Sequence, residues 1–213
     1  GTWLRDRVGI LGTVPNDSNK HRFIFPALSG DGGAVGLAAN SGAQQFLYGS
    51  SQLGTIKRIN LPNINNGVSI IPNLVTVNPF GGGGYGEFVT NFKLNPSNTT
   101  DLYYINFNRL FRTIDAANVT SGTWTELTGV SSTVDATNNP NNGFYVRSLA
   151  FSWGPYQPSH VMYIGTTDGK ILRLDDTRNA LAAQTPANIS IPGLPLGANI
   201  QDIAVNPNND NEI

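Results

Sequence analysis

The sequence of 213 residues contains no cysteine, a single methionine and few charged residues. The absence of cysteine excludes disulfides, thiolate nucleophiles and zinc sites built on cysteine, and it leaves the cellular compartment open. Charged residues make up 13% of the chain, well below the usual quarter, and the formal net charge is -1. Because neither sign of charge clusters, the chain has no basic stripe for a phosphate backbone, and we expect no nucleic acid partner.

Long hydrophobic runs are also missing from the sequence. The apolar stretches, such as residues 102–105, are only as long as a strand, so we expect no membrane insertion. A helical period of 3.6 residues is absent as well, whereas the chain contains 24 Gly and 13 Pro together with many Asn, Thr and Ser. This composition indicates an all-β chain of short strands joined by turns.

Four similar stretches recur along the chain, each an apolar strand that runs into a turn led by Asn or Ser. They are residues 35–40, 91–96, 147–152 and 202–207. Internal repetition of this kind is the first feature to test in a Gly- and Asn-rich β sequence, because it decides the fold class.

Two further strands follow in the first three copies, one with a tyrosine and one with an arginine. The tyrosines are Tyr48, Tyr103 and Tyr163, and the arginines are Arg58, Arg112 and Arg173. The tyrosine-to-arginine separations are 10, 9 and 10 residues, and successive arginines are 54 and 61 residues apart. A repeat of roughly 40 to 60 residues built from four strands is typical of β-propeller blades.

The repeat therefore predicts an all-β fold, a β-propeller segment of about three four-stranded blades plus the first strand of a further blade. The single segment 1–213 contains blades at about 34–78, 88–128 and 146–191, and incomplete blades at 1–33 and 200–213. The fourth strands are predicted at residues 22–25, 70–77, 123–127 and 188–191. Three blades and one strand cannot close a ring, so we expect the remaining blades of the same or a larger chain as partners.

One pair of short motifs resembles a known structural turn. Thr113, Asp115, Gly122 and Trp124 form Thr-x-Asp followed by Gly-x-Trp. This pattern resembles a degenerate Asp-box (BNR repeat) of sialidase-like and sortilin-like propellers, lengthened by an insertion. The resemblance implies a structural staple, in which Asp115 accepts hydrogen bonds from the turn backbone and Trp124 packs beneath it.

The wider pattern is similar to large secreted propellers of the Bacteroidetes type, whose blades resemble those of xyloglucanase-like glycoside hydrolases. The segments that carry this similarity are residues 29–33, 48–54 and 95–98. The resemblance implies an extracellular or cell-surface location.

Histidine chemistry finds little support in the sequence. His21 and His160 are the only histidines and lie in different predicted blades, so we expect neither a hydrolase triad nor a histidine metal cluster. Both are expected at the surface or at strand ends. We expect no cofactor, and calcium stays open as an alternative although no loop has the ligand spacing of an EF-hand.

Paired carboxylates are the remaining catalytic option, with Asp31 and Glu87 as weak candidates for one member of a pair. The loops opposite the Asp-box also combine aromatic rings with amides and carboxylates, which suits sugar binding. The candidate ligand-binding residues are Gln52, Phe80, Tyr85, Asn106, Tyr145 and Asp168. The alternative is that these side chains only form turns and cover blade ends.

The three repeated arginines could be read as the acid-binding triad of a sialidase. Because Arg58, Arg112 and Arg173 occupy equivalent strand positions, we expect solvent contacts or ion pairs between blades instead. The favoured function is a non-catalytic binding or adhesion propeller with a polysaccharide or protein ligand. A glycoside hydrolase and a structural part of a surface or secretion assembly remain as alternatives.

Overall fold

The computed structural model describes residues 3–5, 21–23, 32–39, 44–61, 66–73, 84–195 and 197–213. These residues are mostly β-structure, as the composition predicts, and they include three four-stranded antiparallel sheets. The candidate residues Asp31 and Phe80 lie outside the described residues.

Each four-stranded sheet is a meander in which strands that follow one another in sequence are neighbours. The first sheet contains β3 (Gly32–Ala39), β4 (Gln45–Ser51), β5 (Ile56–Leu61) and β6 (Gly67–Ser69). The second contains β7 (Phe92–Asn95), β8 (Asn98–Asn106), β9 (Arg109–Thr113) and β10 (Thr125–Glu126). The third contains β11 (Val146–Phe151), β12 (Val161–Thr166), β13 (Ile171–Asp175) and β14 (Ala187–Asn188).

Four smaller elements complete the described structure. A separate two-stranded sheet pairs β1 (Trp3–Arg5) with β2 (His21–Phe23). Helix α1 (Thr128–Val134) follows β10, and two short 3-10 helices span Ala116–Asn118 and Pro140–Asn142. Helix α1 is not apparent from the sequence, because its Gly, Ser, Thr and Val residues have low helix propensity.

The fourth strands of the three sheets are short. β10 lies inside the predicted segment 123–127, and β14 shares only Asn188 with 188–191. β6 precedes the predicted segment 70–77, of which residues 70–73 form no strand and residues 74–77 lie outside the described residues. In the predicted segment 22–25, residues 22–23 belong to β2 and residues 24–25 lie outside the described residues.

The tyrosine and arginine register of the sequence is confirmed as a set of direct cross-strand pairs. The pairs are Tyr48 with Arg58, Tyr103 with Arg112, and Tyr163 with Arg173. The three tyrosines are almost completely buried. Each pair therefore marks the same position on the two central strands of its sheet, and the repeat is structural.

The first two sheets pack face to face through an apolar cluster. Tyr48, on the first sheet, lies in this cluster with Leu102, Tyr104 and Phe111 of the second. Gly36 on β3 leaves room for this packing, because a Cβ there would lie 2.8 Å from the Leu94 side chain. Burial of this apolar area is the main favourable term that holds the sheets together.

The opposite face of the second sheet packs against the third sheet and α1. Tyr103 and Leu110 belong to this second cluster, together with Val130 of α1 and Met162 and Leu172 of the third sheet. The second sheet is thus covered on both faces, and six consecutive residues at the end of β8 are buried.

The far face of the third sheet is covered by the chain that follows β14. Tyr163 and Ala150 pack there with Val205 and with the half-buried Ile203. The strand predicted at residues 202–207 is not formed. A strand requires a hydrogen-bonded neighbour, whereas Asn206 bonds to Glu212 within its own turn.

The repeated arginines lie at successive sheet boundaries and do not converge. Arg58 donates to the backbone oxygens of Ala117 and Val119 in the second sheet's loop, and Arg112 donates to Thr177 O after β13 at 2.6 Å. Carbonyl oxygens thus replace the ion-pair partners expected for these two residues. Arg173 forms an ion pair with Asp175 of its own sheet.

A buried ion pair joins the second sheet to the loop that follows β13. The fully buried Asp101 side chain contacts Arg178, and its carboxylate also accepts a hydrogen bond from Thr100 Oγ1 at 3.2 Å. Burial raises the pKa of Asp101 to about 6, although Arg178, Thr100 and Arg112 act in the lowering direction.

The raised pKa makes a stability prediction. The folded-state pKa of Asp101 lies above the unfolded value of 3.8, so the folded state holds this proton more tightly and acidification favours folding. From pH 7 to pH 5 we expect the unfolding free energy of the wild type to rise by about 1 kcal/mol relative to Asp101→Asn. Urea denaturation of both proteins at the two pH values measures this change. If the unfolding free energy of the two proteins changed equally between the two pH values, or rose more in Asp101→Asn, the raised pKa of Asp101 would be contradicted. The control is Asp202→Asn, at an exposed residue, which should follow the wild type.

Close packing of α1 makes a second prediction. A Cβ at Gly129 would lie 2.2 Å from the backbone oxygen of Gln184, whereas the nearest atom to one at Gly122 would be Asn73 Nδ2 at 3.7 Å. We expect Gly129→Ala to lower the unfolding free energy by roughly 2 kcal/mol and Gly122→Ala to change it by less than about 0.5 kcal/mol. Equal urea midpoints for the two variants would show that α1 does not pack as described.

Candidate functional site

One end of the stacked sheets gathers most of the candidate residues, and we call it the hairpin end. It carries the turns that join the second and third strands of each sheet, at residues 52–55, 107–108 and 167–170. The segments that lead into β7 and β11 reach the same end. The predicted residues at this end are Gln52, Tyr85, Glu87, Asn106, Tyr145 and Asp168.

The turn between β4 and β5 holds the loop before β7 in place. Tyr85 N–H donates to Leu53 O at 2.7 Å, and Leu53 N–H donates to Phe88 O at 3.3 Å. Gly54 has a φ of 82°, and a Cβ there would lie 2.5 Å from the nitrogen of Gly86. Glycine is required here because the two backbones approach too closely for a side chain.

Buried polar side chains also hold the turn between β4 and β5 and the loop before β7 in place. Tyr104 OH donates to Gly54 O at 2.7 Å, and Thr90 Oγ1 accepts from Gly54 N–H at 2.7 Å. Asn106 is buried and its amide donates to Tyr85 O. Asn106 therefore positions Tyr85 in this structure, and its amide is directed into the protein.

An ion pair connects the loop before β7 with the start of β11. Arg147 Nη2 lies 3.2 Å from Glu87 Oε1, and the two side chains are 22% and 16% exposed. Burial raises the pKa of Glu87, while the charge and hydrogen bond of Arg147 oppose that rise. In the described part of the chain, the ionic partner of Glu87 is thus a cation and not the second carboxylate of a glycosidase pair.

Tyr145 lies beside this ion pair and closes the loop before β11. Its hydroxyl donates to Pro140 O at 2.7 Å, and its ring centroid lies 5.3 Å from that of Phe107. Burial raises the pKa of Tyr145, and the negative charge of Glu87 adds to the rise. Tyr145 is thus held by the loop and is only partly available to a ligand.

The loop between α1 and β11 is organised around one buried carboxylate. Asp135 accepts hydrogen bonds from the backbone of Thr137 and Asn139, from Thr137 Oγ1 and from the Asn142 amide. Burial alone would raise the pKa of Asp135, but these hydrogen bonds hold it below its ordinary value. The loop is therefore an ordered wall of the hairpin end.

Asp168 acts as a turn residue. Thr166 Oγ1 donates to Asp168 Oδ1 at 2.5 Å, and Lys170 Nζ lies 2.7 Å from Asp168 Oδ2. Thr167 exchanges hydrogen bonds with the backbone of Tyr145, which ties this turn to the loop before β11.

Three aromatic side chains project from the hairpin end. Tyr85 and Phe144 are each 42% exposed and Phe88 is 61% exposed. Lys170 Nζ lies 5.8 Å from the centroid of the Phe144 ring. Tyr85 is among the residues predicted from the sequence, whereas Phe88, Phe144 and Arg147 are not. Phe88 and Phe144 lie in the segments that lead into β7 and β11, and Arg147 is the second residue of β11. The signal that could have found them is their position around the start of a repeat's first strand, next to predicted residues.

The Asp-box residues lie at the opposite end of the sheets. Trp124 is buried, and its Nε1–H donates to Ile70 O at 2.7 Å. The Asp115 carboxylate accepts from the Asn118 side chain at 3.0 and 3.1 Å, while Asp115 N–H donates to Thr113 Oγ1 at 3.2 Å. Trp124 thus packs in the apolar cluster between the first two sheets, and the Asp115 carboxylate bonds to a side chain of the inserted 3-10 helix. The Asp-box itself stays a prediction.

His160 lies at a strand end, which is one of the two positions expected for it, and it is not at the surface. It directly precedes β12 but is only 2% exposed, with its ring in edge contact with Tyr156 at 5.0 Å between centroids. Within the described ranges, no set of three or more His, Asp or Glu side chains is placed to hold a metal ion. No helix in those ranges is long and apolar enough to cross a membrane.

Comparisons with protein-family models and with curated proteins found no match for the chain. The resemblance to Asp-box propellers therefore stays a prediction. The function of the hairpin end rests on its own geometry and chemistry.

Proposed function

We propose that the three sheets are consecutive blades of a β-propeller whose hairpin end is a non-catalytic binding surface for polysaccharide. The blade assignment is supported by the repeated packing of each tyrosine-bearing face on the next sheet. In a propeller, loops from successive blades share one end and can form a continuous ligand surface. An extracellular or cell-surface location follows from a polysaccharide ligand.

The observation that carries this proposal is the group of exposed rings beside a half-buried ion pair. Tyr85, Phe88 and Phe144 offer flat apolar surfaces, and the partly exposed Glu87 and Arg147 side chains offer planar polar groups. A pyranose presents an apolar ring face and a rim of hydroxyls, which matches this combination. The loops are held by backbone bonds, so the surface is formed before the ligand arrives.

The binding proposal predicts the effect of removing two rings. We expect Tyr85→Ala with Phe88→Ala to weaken binding to polysaccharide roughly tenfold or more, because stacking on each ring contributes about 0.5–1.5 kcal/mol. Affinity electrophoresis in gels containing β-glucan, xylan or galactomannan measures the change. Leu181→Ala, which removes a 76% exposed side chain elsewhere, is the matched control and should bind as the wild type does.

Two results would contradict this proposal. The first is equal retardation of the wild type and the double variant in every gel. The second is the absence of retardation together with capture of a cell-envelope protein by the intact chain, which would favour a protein ligand.

A glycoside hydrolase is the second candidate, and one observation favours it. The raised pKa of Glu87 is the property that a general acid requires near neutral pH. Asp31, the alternative candidate for the same catalytic carboxylate, lies outside the described residues. The ion pair with Arg147 acts against a proton on Glu87, which is why we favour the non-catalytic function.

The two functions differ in reducing-sugar release. We expect no release from β-glucan, xylan or galactomannan by the wild type or by Glu87→Gln. Release by the wild type that falls at least about 100-fold in Glu87→Gln, but not in the exposed control Asp202→Asn, would establish the hydrolase instead.

A further inference from the structure

A cleft lies at the end of the third sheet opposite the hairpin end, and none of the predicted ligand-binding residues that the structure describes lines it. It has a volume of about 440 Å³. The residues that line it include Trp153, Arg173, Asn208, Asn209, Asp210 and Asn211. Trp153 belongs to the connection between β11 and β12, and Arg173 lies on β13.

One wall of this cleft, which we call the Trp153 cleft, is a turn at residues 206–212 that is closed by its own hydrogen bonds. Asn206 N–H donates to Glu212 O at 2.9 Å, and the Asn206 amide donates to Glu212 Oε2 at 2.8 Å. Asn208 N–H donates to Asn206 Oδ1 at 2.9 Å, and Asn211 N–H donates to Asn209 Oδ1 at 3.2 Å. These short-range bonds give the turn a defined shape.

The third sheet anchors this turn through its repeated tyrosine and arginine. Tyr163 OH donates to the backbone oxygen of Asp210 at 2.6 Å. Arg173 Nη1 donates to Asn211 Oδ1 at 2.5 Å, while Arg173 Nε bonds to Asp175 Oδ1 at 2.7 Å. The wall is therefore fixed to a buried strand pair, and the cleft is formed in advance.

Trp153 also lines the cleft, and the residue is 53% exposed. Indole is the largest aromatic surface available to a protein, and an exposed indole face is suited to stacking on the apolar face of a sugar ring. The rest of the lining supplies amides, a carboxylate and a guanidinium, which are planar donors and acceptors suited to hydroxyl groups.

The charges at the cleft limit the class of ligand. Among the described residues that line the cleft, Arg173 is the one cation, and it is already paired with Asp175 beside the cleft. Asp210 adds a second negative charge near the same place. The cleft therefore carries more negative than positive charge, which disfavours uronic acids, sulfated sugars and other anions.

We propose that the Trp153 cleft binds a neutral oligosaccharide, with one sugar ring stacked on Trp153 and its hydroxyls bonded to the side chains of the 206–212 turn. This site is separate from the hairpin end. With both sites occupied, the chain would hold two glycan segments at opposite ends of the same sheets.

The test uses the intact chain and three neutral hexasaccharides, of β-1,4-linked glucose, xylose and mannose. We expect at least one of them to bind in calorimetry and to change the tryptophan emission. Trp153→Ala should weaken that binding roughly tenfold and remove the emission change. Asp210→Ala should weaken it severalfold, because the variant lacks the carboxylate. The turn should stay anchored, because Tyr163 bonds to the backbone oxygen of Asp210. Oligogalacturonate should not bind.

Two controls separate this inference from the function proposed for the hairpin end. Leu181→Ala should bind as the wild type does, and the variant with Tyr85→Ala and Phe88→Ala should keep the emission change. If that double variant loses hexasaccharide binding while Trp153→Ala retains it, the cleft is not a site and the hairpin end is. The inference also fails if no hexasaccharide binds, or if Trp153→Ala and Asp210→Ala both bind at wild-type affinity.

Discussion

Packing of each sheet's tyrosine-bearing face on the following sheet is the constraint on which the described structure depends. The second sheet shows this most clearly, because Tyr103 and Tyr104 are adjacent in sequence, point to opposite faces and are both fully buried. A sheet that is apolar on both faces has no stable solvent-exposed form, so it requires a neighbour on each side. The arginine paired with each tyrosine strengthens this dependence by donating across the boundary to the next loop, as Arg112 does to Thr177.

The stacking of the sheets decides which loops can act together. Because all three meanders run in the same sense, their corresponding turns emerge at one end, and the backbones of Gly54 and Gly86 meet there. That contact brings the loop before β7 within reach of Arg147 from the third sheet. The hairpin end is thus a product of inter-sheet packing, and disturbance of the sheet boundaries should alter it even where no surface residue changes.

The sequence predicted what repetition and alternation encode. The pairing of Tyr48 with Arg58 recurs in the other two sheets and can be detected in the sequence. Hairpins of similar length place cross-strand neighbours at nearly the same separation along the chain. Features that depend on tertiary contacts were missed. Helix α1 forms despite poor helix propensity because it packs against residues 182–184, which are distant in sequence and which local patterns do not specify. Residues 202–207 form no strand because Asn206 closes a turn with Glu212 instead of pairing with a neighbouring strand.

The loops also show why polar candidates are harder to identify from sequence than aromatic ones. Asp135, Asp168 and Asn106 are of the residue types that favour sugars, yet the loops use all three to satisfy their own hydrogen bonds. In a turn, such side chains form hydrogen bonds with backbone groups that are not hydrogen-bonded to a neighbouring strand. These bonds are present without a ligand, so the polar atoms are already occupied. An exposed ring has no comparable task within a turn. Within the described residues, Phe88 at the hairpin end and Trp153 at the opposite end therefore indicate ligand surfaces more directly than the carboxylates and amides around them.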